Sequence, residues 1–164
     1  MGGNIWNHKN VMVTGATGLI GQAVVRRLVA LGAHVIAIVR DAQRARDLFS
    51  DVLAIPGKDA ALSFMVCDVT KIPILGLKAD YIIHGAASTS SHAFVKDPVG
   101  VAMTSIQGTT RVLELARICH VKGLVYLSSM EVYGTPSYDS LIDELHATNL
   151  DTMRARSSTR KARL

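Results

Sequence analysis

The chain alternates short apolar runs with stretches in which apolar residues recur every three or four positions. Val11 to Thr14 is a strand-like run that ends in glycine, and Leu19 to Leu31 then carries Ile20, Val24, Leu28 and Leu31 at helical spacing. Gly32 closes that helix, and His34 to Val39 is a second β-branched run. Strand, helix and strand within about thirty residues make a βαβ unit. Its connection is expected to be right-handed, because a right-twisted strand feeding a helix packs back onto the sheet only that way. Asp41 to Phe49 reads as helical, Pro56-Gly57 as loop, and Leu62 to Cys67 and Tyr81 to His84 as the third and fourth strands. Asp97-Pro98 is a helix start, an N-cap acceptor followed by a residue with no amide hydrogen to leave unpaired. Val99, Met103, Ile106, Thr110, Leu113 and Ala116 mark one face of a long helix, Gly123 ends it, and Leu124 to Ser128 is the fifth strand.

Strands alternating with helices predict the α/β class: a doubly wound parallel sheet, Rossmann-like, with strand order 3-2-1-4-5 and ligands at the carboxyl ends of the strands where the order reverses. The composition agrees. Apolar residues are 49% and aromatics only 5%, so the interior is expected to be Val, Ile, Leu and Ala, as in parallel sheets covered on both faces.

Charge changes the picture little. Five basic residues against Asp151 leave +4 of the net +5 in residues 151–164, so residues 1–150 carry +1. A nucleic-acid groove would need Lys and Arg spread over a folded surface with stacking aromatics between them, and none is expected. Cys67 and Cys119 have no Cys-x-x-Cys or Cys/His spacing, which argues against a metal site and a disulfide framework and for a reducing compartment. Met1 to Asn10 is polar, Trp6 stands where a myristoylation signal would want Ser or Thr, and no run reaches the ~18 apolar residues of a membrane span. The expectation is a cytoplasmic protein with no membrane partner.

The chemistry gathers where strand one turns into helix one, at Thr14-Gly15-Ala16-Thr17-Gly18-Leu19-Ile20-Gly21. Gly15 permits the tight turn, Gly18 lets backbone N–H groups approach a pyrophosphate, and Gly21 lets the helix lie close to the strand, while the helix dipole favours the anion. Between an apolar strand and an amphipathic helix this spacing points to dinucleotide binding. Residues 1–134 are expected to form that domain, and residues 135–164 a polar loop and basic tail with poor order.

Thr14 to Gly21 resembles the T-G-x-x-G-x-x-G signature of the extended short-chain dehydrogenase/reductase family, the nucleotide-sugar epimerases and dehydratases. Four further motifs agree, in order: Cys67-Asp68-Val69, Ile83-His84-Gly85-Ala86-Ala87, Gly108-Thr109 with Val112-Leu113-Glu114, and Leu127-Ser128-Ser129-Met130-Glu131-Val132-Tyr133-Gly134. The resemblance implies that Gly15, Thr17, Gly18, Leu19, Ile20, Gly21, Val69, Gly85, Ala86 and Ala87 line the cofactor and that Asp68 hydrogen-bonds adenine. It also implies that Ser129 bonds a sugar hydroxyl or ketone and that Glu131 moves a proton. Read as residues alone, Asp68 is equally a cap for the next turn, His84 a packed and hydrogen-bonded core residue, and Glu131 an exposed loop carboxylate. After strand two, Arg40 suits adenine stacking or a 2′-phosphate, while Asp41 suits a ribose or a helix cap. The resemblance favours NAD as cofactor, with NADP left open, and a nucleotide sugar as the substrate of a full-length form.

The family pattern breaks in three places. Met130 occupies the position of the dehydratase acid, and a thioether cannot donate a proton. Ser105 stands where the family commonly has asparagine. The family's Tyr-x-x-x-Lys helix is missing, since Tyr81, Tyr126, Tyr133 and Tyr138 are followed four residues on by Gly85, Met130, Ser137 and Ile142. Arg156-Ser157-Ser158 matches the family until Thr159 appears in place of tyrosine and Arg163 in place of lysine. These breaks lead to the expectation of a chain truncated before the last strands and the substrate domain, inactive alone, and prone to associate with another copy through its exposed sheet edge.

Overall fold

A computed structural model describes residues 4–55, 61–74, 76–87, 91–129, 133 and 141. In chain order the elements are β1 (Asn10–Thr14), α1 (Leu19–Ala30), β2 (His34–Val39), α2 (Ala42–Leu48), α3 (Ser50–Leu53), β3 (Leu62–Val66), a 3-10 turn (Val69–Lys71), β4 (Tyr81–His84), α4 (Ser91–Lys96), α5 (Pro98–Ile118) and β5 (Gly123–Tyr126). The strands form one parallel sheet in the order β3-β2-β1-β4-β5, as the alternation of patterns predicts. The chain gathers into two compact units, Met1–Ala86 with Gly108–Leu127, and Ala87–Gln107 with Ser128–Leu164. The sheet belongs to the first.

The strands are apolar on both faces because both faces are covered. Val11 and Val13 of β1 and Val35, Ala37 and Val39 of β2 point to one side, into a core with Val25, Leu28 and Val29 of α1 and with Ala45, Phe49 and Val52. Met12, Ile38 and Ile82 point to the other side, where Val112 and Leu115 of α5 join Ile72. Arg26 ties α1 to the α2–α3 corner. Its guanidinium bonds Asp51 at 2.8 and 3.1 Å and the Leu48 carbonyl at 2.6 Å, and lies over the Phe49 ring.

Several expected boundaries shift, each for a local reason. The segment from Asp41 to Phe49 holds one helix, α2, and a second short helix, α3, follows it from Phe49, a completely buried ring at the corner. The long helix ends at Ile118, with His120 turning into the left-handed region at φ 51°, so Gly123 opens β5 instead of closing the helix. Regular pairing stops at Val66 and Tyr126, although the Cys67 and Leu127 N–H groups each add one more bond, to the Val39 and His84 carbonyls. The short helix α4 carries no periodic apolar signal that would announce it.

The larger correction concerns α5. Of the face marked by Val99, Met103, Ile106, Thr110, Leu113 and Ala116, the first five are exposed, Val99, Met103, Ile106 and Leu113 at 70, 45, 49 and 53%, and Ala116 packs against the core. The buried residues are Val101, Ser105, Gly108, Val112 and Leu115, a second stripe at the same spacing. Its small residues decide the matter: a Cβ on Gly108 would stand 2.8 Å from Val69 Cγ1, so this stripe alone allows the helix its close approach. Asp97 caps the helix as expected, its Oδ1 accepting the Gly100 N–H at 2.8 Å.

Two leucines two positions apart separate the faces experimentally. Leu115→Ala is expected to cost about 2–5 kcal/mol in chemical denaturation, the range for truncating a buried leucine. Leu113→Gln should stay within about 0.5 kcal/mol of the parent, as surface changes do. The reverse ranking would restore the face read from periodicity.

Candidate dinucleotide-binding site

The turn from β1 into α1 is built by backbone contact. Gly15 sits at φ 71°, and a Cβ there would lie 2.5 Å from the Gly85 carbonyl carbon and oxygen and 2.8 Å from Ala86 N. Gly21 is buried one turn into α1, where a Cβ would fall 2.1 Å from the Gly15 carbonyl oxygen. The two glycines thus serve different neighbours: Gly15 lets the β1 and β4 loops touch, and Gly21 lets α1 lie against its own entry. The Gly18 N–H closes the turn on the Gly15 carbonyl at 3.0 Å. Gly18 is therefore exposed and extended at the N-cap, with no side-chain cap, and the amides that open towards an anion are those of the following first turn, Leu19 and Ile20. The side chains of Leu19 and Ile20 are 90 and 59% exposed beside the loop. The Thr17 carbonyl accepts the Gln22 amide at 3.1 Å, which fixes the loop from within the helix.

Across the sheet edge, the last strand positions form a polar row. Thr14 is in register with His84, and His84 with Tyr126. Thr14 Oγ1 lies 2.6 Å from His84 Nδ1 and accepts the Ala86 N–H at 3.2 Å, and His84 Nε2 lies 3.2 Å from Thr109 Oγ1 on α5. The His84 ring stacks on Tyr126 with centroids 5.1 Å apart. His84 is thus the packed, hydrogen-bonded core residue that its apolar flank suggests, 2% exposed. Sequence reading did not find the partnership of Thr14 with Thr109. A cross-strand register joins one to the ring and a helix contact the other, and neither leaves a local signal.

Two carboxylates lie at the outer rim. Asp41 Oδ1 accepts the Arg44 N–H at 3.0 Å and caps α2. Arg40 is exposed beside it. Asp68 Oδ1 accepts the Thr70 N–H at 2.9 Å and the Thr70 hydroxyl at 2.7 Å, capping the 3-10 turn. These bonds hold its carboxyl below the usual range, with the positive charges of Arg40 and Lys71 adding to the effect. Burial, and then the Asp68 charge, push the neighbouring Cys67 thiol up. Val69 is half-buried against Gly108.

Gly15, Thr17, Gly18, Leu19, Ile20, Gly21, Arg40, Asp68, Val69, Gly85 and Ala86 all belong to the unit that holds the sheet, whereas Ala87 and Ser129 belong to the other unit. Ser129 is half-buried, three residues past β5. Glu131 and Met130 lie outside the described residues, as do the basic tail and most of the polar loop before it. Ser105, buried in α5, donates its hydroxyl to the Val101 carbonyl one turn back at 3.0 Å. No helix among the described residues is long and apolar enough to cross a membrane.

A parallel doubly wound sheet with a glycine turn into an exposed helix N-terminus, at the strand end where the order reverses, defines a Rossmann-like dinucleotide-binding protein. The family described as the NAD dependent epimerase/dehydratase family matches residues 11–156. The chain belongs to that family, whose description names the cofactor expected from the sequence. Among curated proteins it is 35% identical over 131 residues to the UDP-glucose 4-epimerase of Mycolicibacterium smegmatis, covering 76% of this chain and 40% of that one. It is 28% identical over 137 residues to the dTDP-glucose 4,6-dehydratase of Streptomyces antibioticus, covering 80 and 40%. In fold it is similar to the UDP-glucose-4-epimerase of Stenotrophomonas maltophila, solved with bound NAD and formylated UDP-arabinopyranose, with a TM-score of 0.76 at 24% identity over 94% of this chain and 46% of that one. The chain thus spans about two fifths of the length of the curated relatives named here.

Gly21→Ala is expected to destabilise the chain by about 1–3 kcal/mol or more, since the new methyl meets backbone that has no room to yield. An unchanged midpoint in denaturant would show that the loop relaxes freely. Acid should weaken the fold through Asp68. Its folded pKa is lowered, so its contribution is complete above the ordinary carboxylate range near about pH 4 and is lost as pH falls through the lower folded value. Denaturation series between about pH 5 and pH 3 should therefore show a shallower acid loss in Asp68→Asn than in the parent. Equal slopes would remove Asp68 from the account.

Proposed function

We propose that this chain binds NAD and forms the cofactor-binding portion of a protein that modifies nucleotide sugars. The observation that carries this reading is the Gly15–Gly21 turn, where backbone-to-backbone contact leaves the first-turn amides of α1 facing outward at the carboxyl end of β1. Gly15, Thr17, Gly18, Leu19, Ile20 and Gly21 hold the pyrophosphate in this reading, Asp68, Val69 and Arg40 border the adenosine, and Gly85, Ala86 and Ala87 border the rest. The structure fits the group: side chains at Gly15 or Gly21 would fill space that backbone already occupies. The polar Ser129 and Glu131 are assigned to the sugar. NAD, when bound, supplies a hydride acceptor and donor. This chain's residues bind and orient it. The solved Stenotrophomonas epimerase, with its NAD and UDP-sugar, lends the substrate class. Residues 1–134 as the binding domain and a cytoplasmic setting belong to the same reading, the latter supported by the unpaired Cys67 and Cys119.

A second reading, cofactor binding without turnover, is favoured by one observation: no tyrosine in the sequence is followed four residues on by lysine. In the family's chemistry the lysine helps the tyrosine act as phenolate, and a phenol with no such lysine is a weak base at neutral pH.

Calorimetric titration of the purified chain with NAD and NADP, followed by UDP-glucose turnover in the same sample, separates the readings. The expected result is NAD binding with no turnover. Turnover would show that the sugar chemistry proceeds without a Tyr-x-x-x-Lys pair, and a folded sample that binds neither cofactor would overturn the proposal.

A further inference from the structure

We propose that Thr14, His84 and Thr109 form a positioning relay for the dinucleotide loop, in which His84 is neutral and carries its proton on Nε2. The two contact lengths assign the proton. With an oxygen acceptor, a hydroxyl donor makes bonds of about 2.5–3.0 Å and an N–H donor about 2.7–3.2 Å. The 2.6 Å between Thr14 Oγ1 and His84 Nδ1 suits O–H donating to a bare ring nitrogen and is short for N–H donating to oxygen. The 3.2 Å between Nε2 and Thr109 Oγ1 suits N–H donating to a hydroxyl oxygen. The bond from Ala86 supports the same direction. Its N–H already donates to Thr14 Oγ1 at 3.2 Å, leaving that hydroxyl's single hydrogen to be given onward. The chain then runs one way: Ala86 N–H to Thr14, Thr14 O–H to His84 Nδ1, and His84 Nε2–H to Thr109.

Its members sit at the places that shape the loop. Thr14 immediately precedes Gly15, and its carbonyl also accepts the Gly85 N–H at 3.1 Å. Ala86 follows Gly85, the residue whose backbone Gly15 touches. Thr109 adjoins Gly108, where α5 approaches Val69 beyond Asp68. Tyr126 holds the ring in plane by stacking at an interplanar angle of 13°. The relay therefore fixes both backbone segments of the turn to α5, and His84 acts through them as a positioning residue. Its consequence for cofactor affinity rests on the NAD-binding reading above, whereas its proton position does not.

The test uses the full chain. Nitrogen-15 spectra of labelled histidine give each ring's tautomer, and His84→Asn identifies the His84 signals among the six histidines. A neutral ring protonated at Nε2 is expected, while a ring protonated at Nδ1, or at both nitrogens, at neutral pH overturns the relay. NAD titration then reads its effect. His84→Leu, which leaves the Thr14 hydroxyl without its acceptor, should weaken binding about tenfold. His84→Asn places a carbonyl oxygen near the Nδ1 position and should restore affinity to within about threefold. Should His84→Leu fail to fold, Thr14→Val removes the same hydroxyl and should show the same loss. Parental affinity in a folded His84→Leu or Thr14→Val chain overturns the positioning role. If the parent chain itself binds no NAD, the functional reading fails, and the tautomer measurement still decides the proton assignment.

Discussion

Backbone-to-backbone contact at the carboxyl end of β1 is the constraint around which the sheet-bearing unit is arranged. At Gly15 and Gly21, a single added carbon would fall within 2.5 Å of a carbonyl oxygen. Only because both positions lack a side chain can β1 turn into α1 within four residues and still let α1 cover the sheet it has just left. The same contact brings the β4 loop against the β1 loop. Strand order reverses between these neighbours, and the helices that follow them cover opposite faces. The loops after β1 and β4 are therefore built of main chain in contact with main chain, and main-chain N–H groups suit an anion.

Polarity is rationed along the strands. The middles of β1 and β4 are apolar, their last positions are Thr14 and His84, and the row continues with Tyr126. Placed one row deeper, these groups would lie in the Met12 and Ile82 layer with the cost of unpaired buried polar atoms. At the end of the strands, loop amides and the Thr109 hydroxyl are within reach, so each buried group finds a partner. The polar row thus marks the boundary between the apolar part of the sheet and the loops that follow it.

Two carboxylates at the rim have local structural work. Asp41 caps α2 and Asp68 caps the 3-10 turn, each accepting a backbone N–H within three residues. For Asp41 this takes up one oxygen of the only acidic group next to the end of β2 and leaves Arg40 as its exposed neighbour. Such caps cost the sequence nothing extra, since Asp is among the best residues for both a turn and an N-cap.

What the sequence determined by itself was most of what depends on residues close together in the chain. The short apolar runs, the helical spacing of apolar residues between them, the glycine spacing from Gly15 to Gly21 and the Asp97-Pro98 cap specify most of the elements, and their alternation the strand order. Family membership was legible for the same reason, because its motifs are contiguous. The tertiary structure alone decided which face of α5 is buried. Both stripes of that helix have acceptable spacing, and the choice fell to the one with Gly108, since close packing against Val69 leaves no room for a side chain there. It alone also joined Thr14, His84 and Thr109, residues separated by 70 and 25 positions. Strand register and helix docking are long-range properties, fixed by packing that no local window of the chain contains.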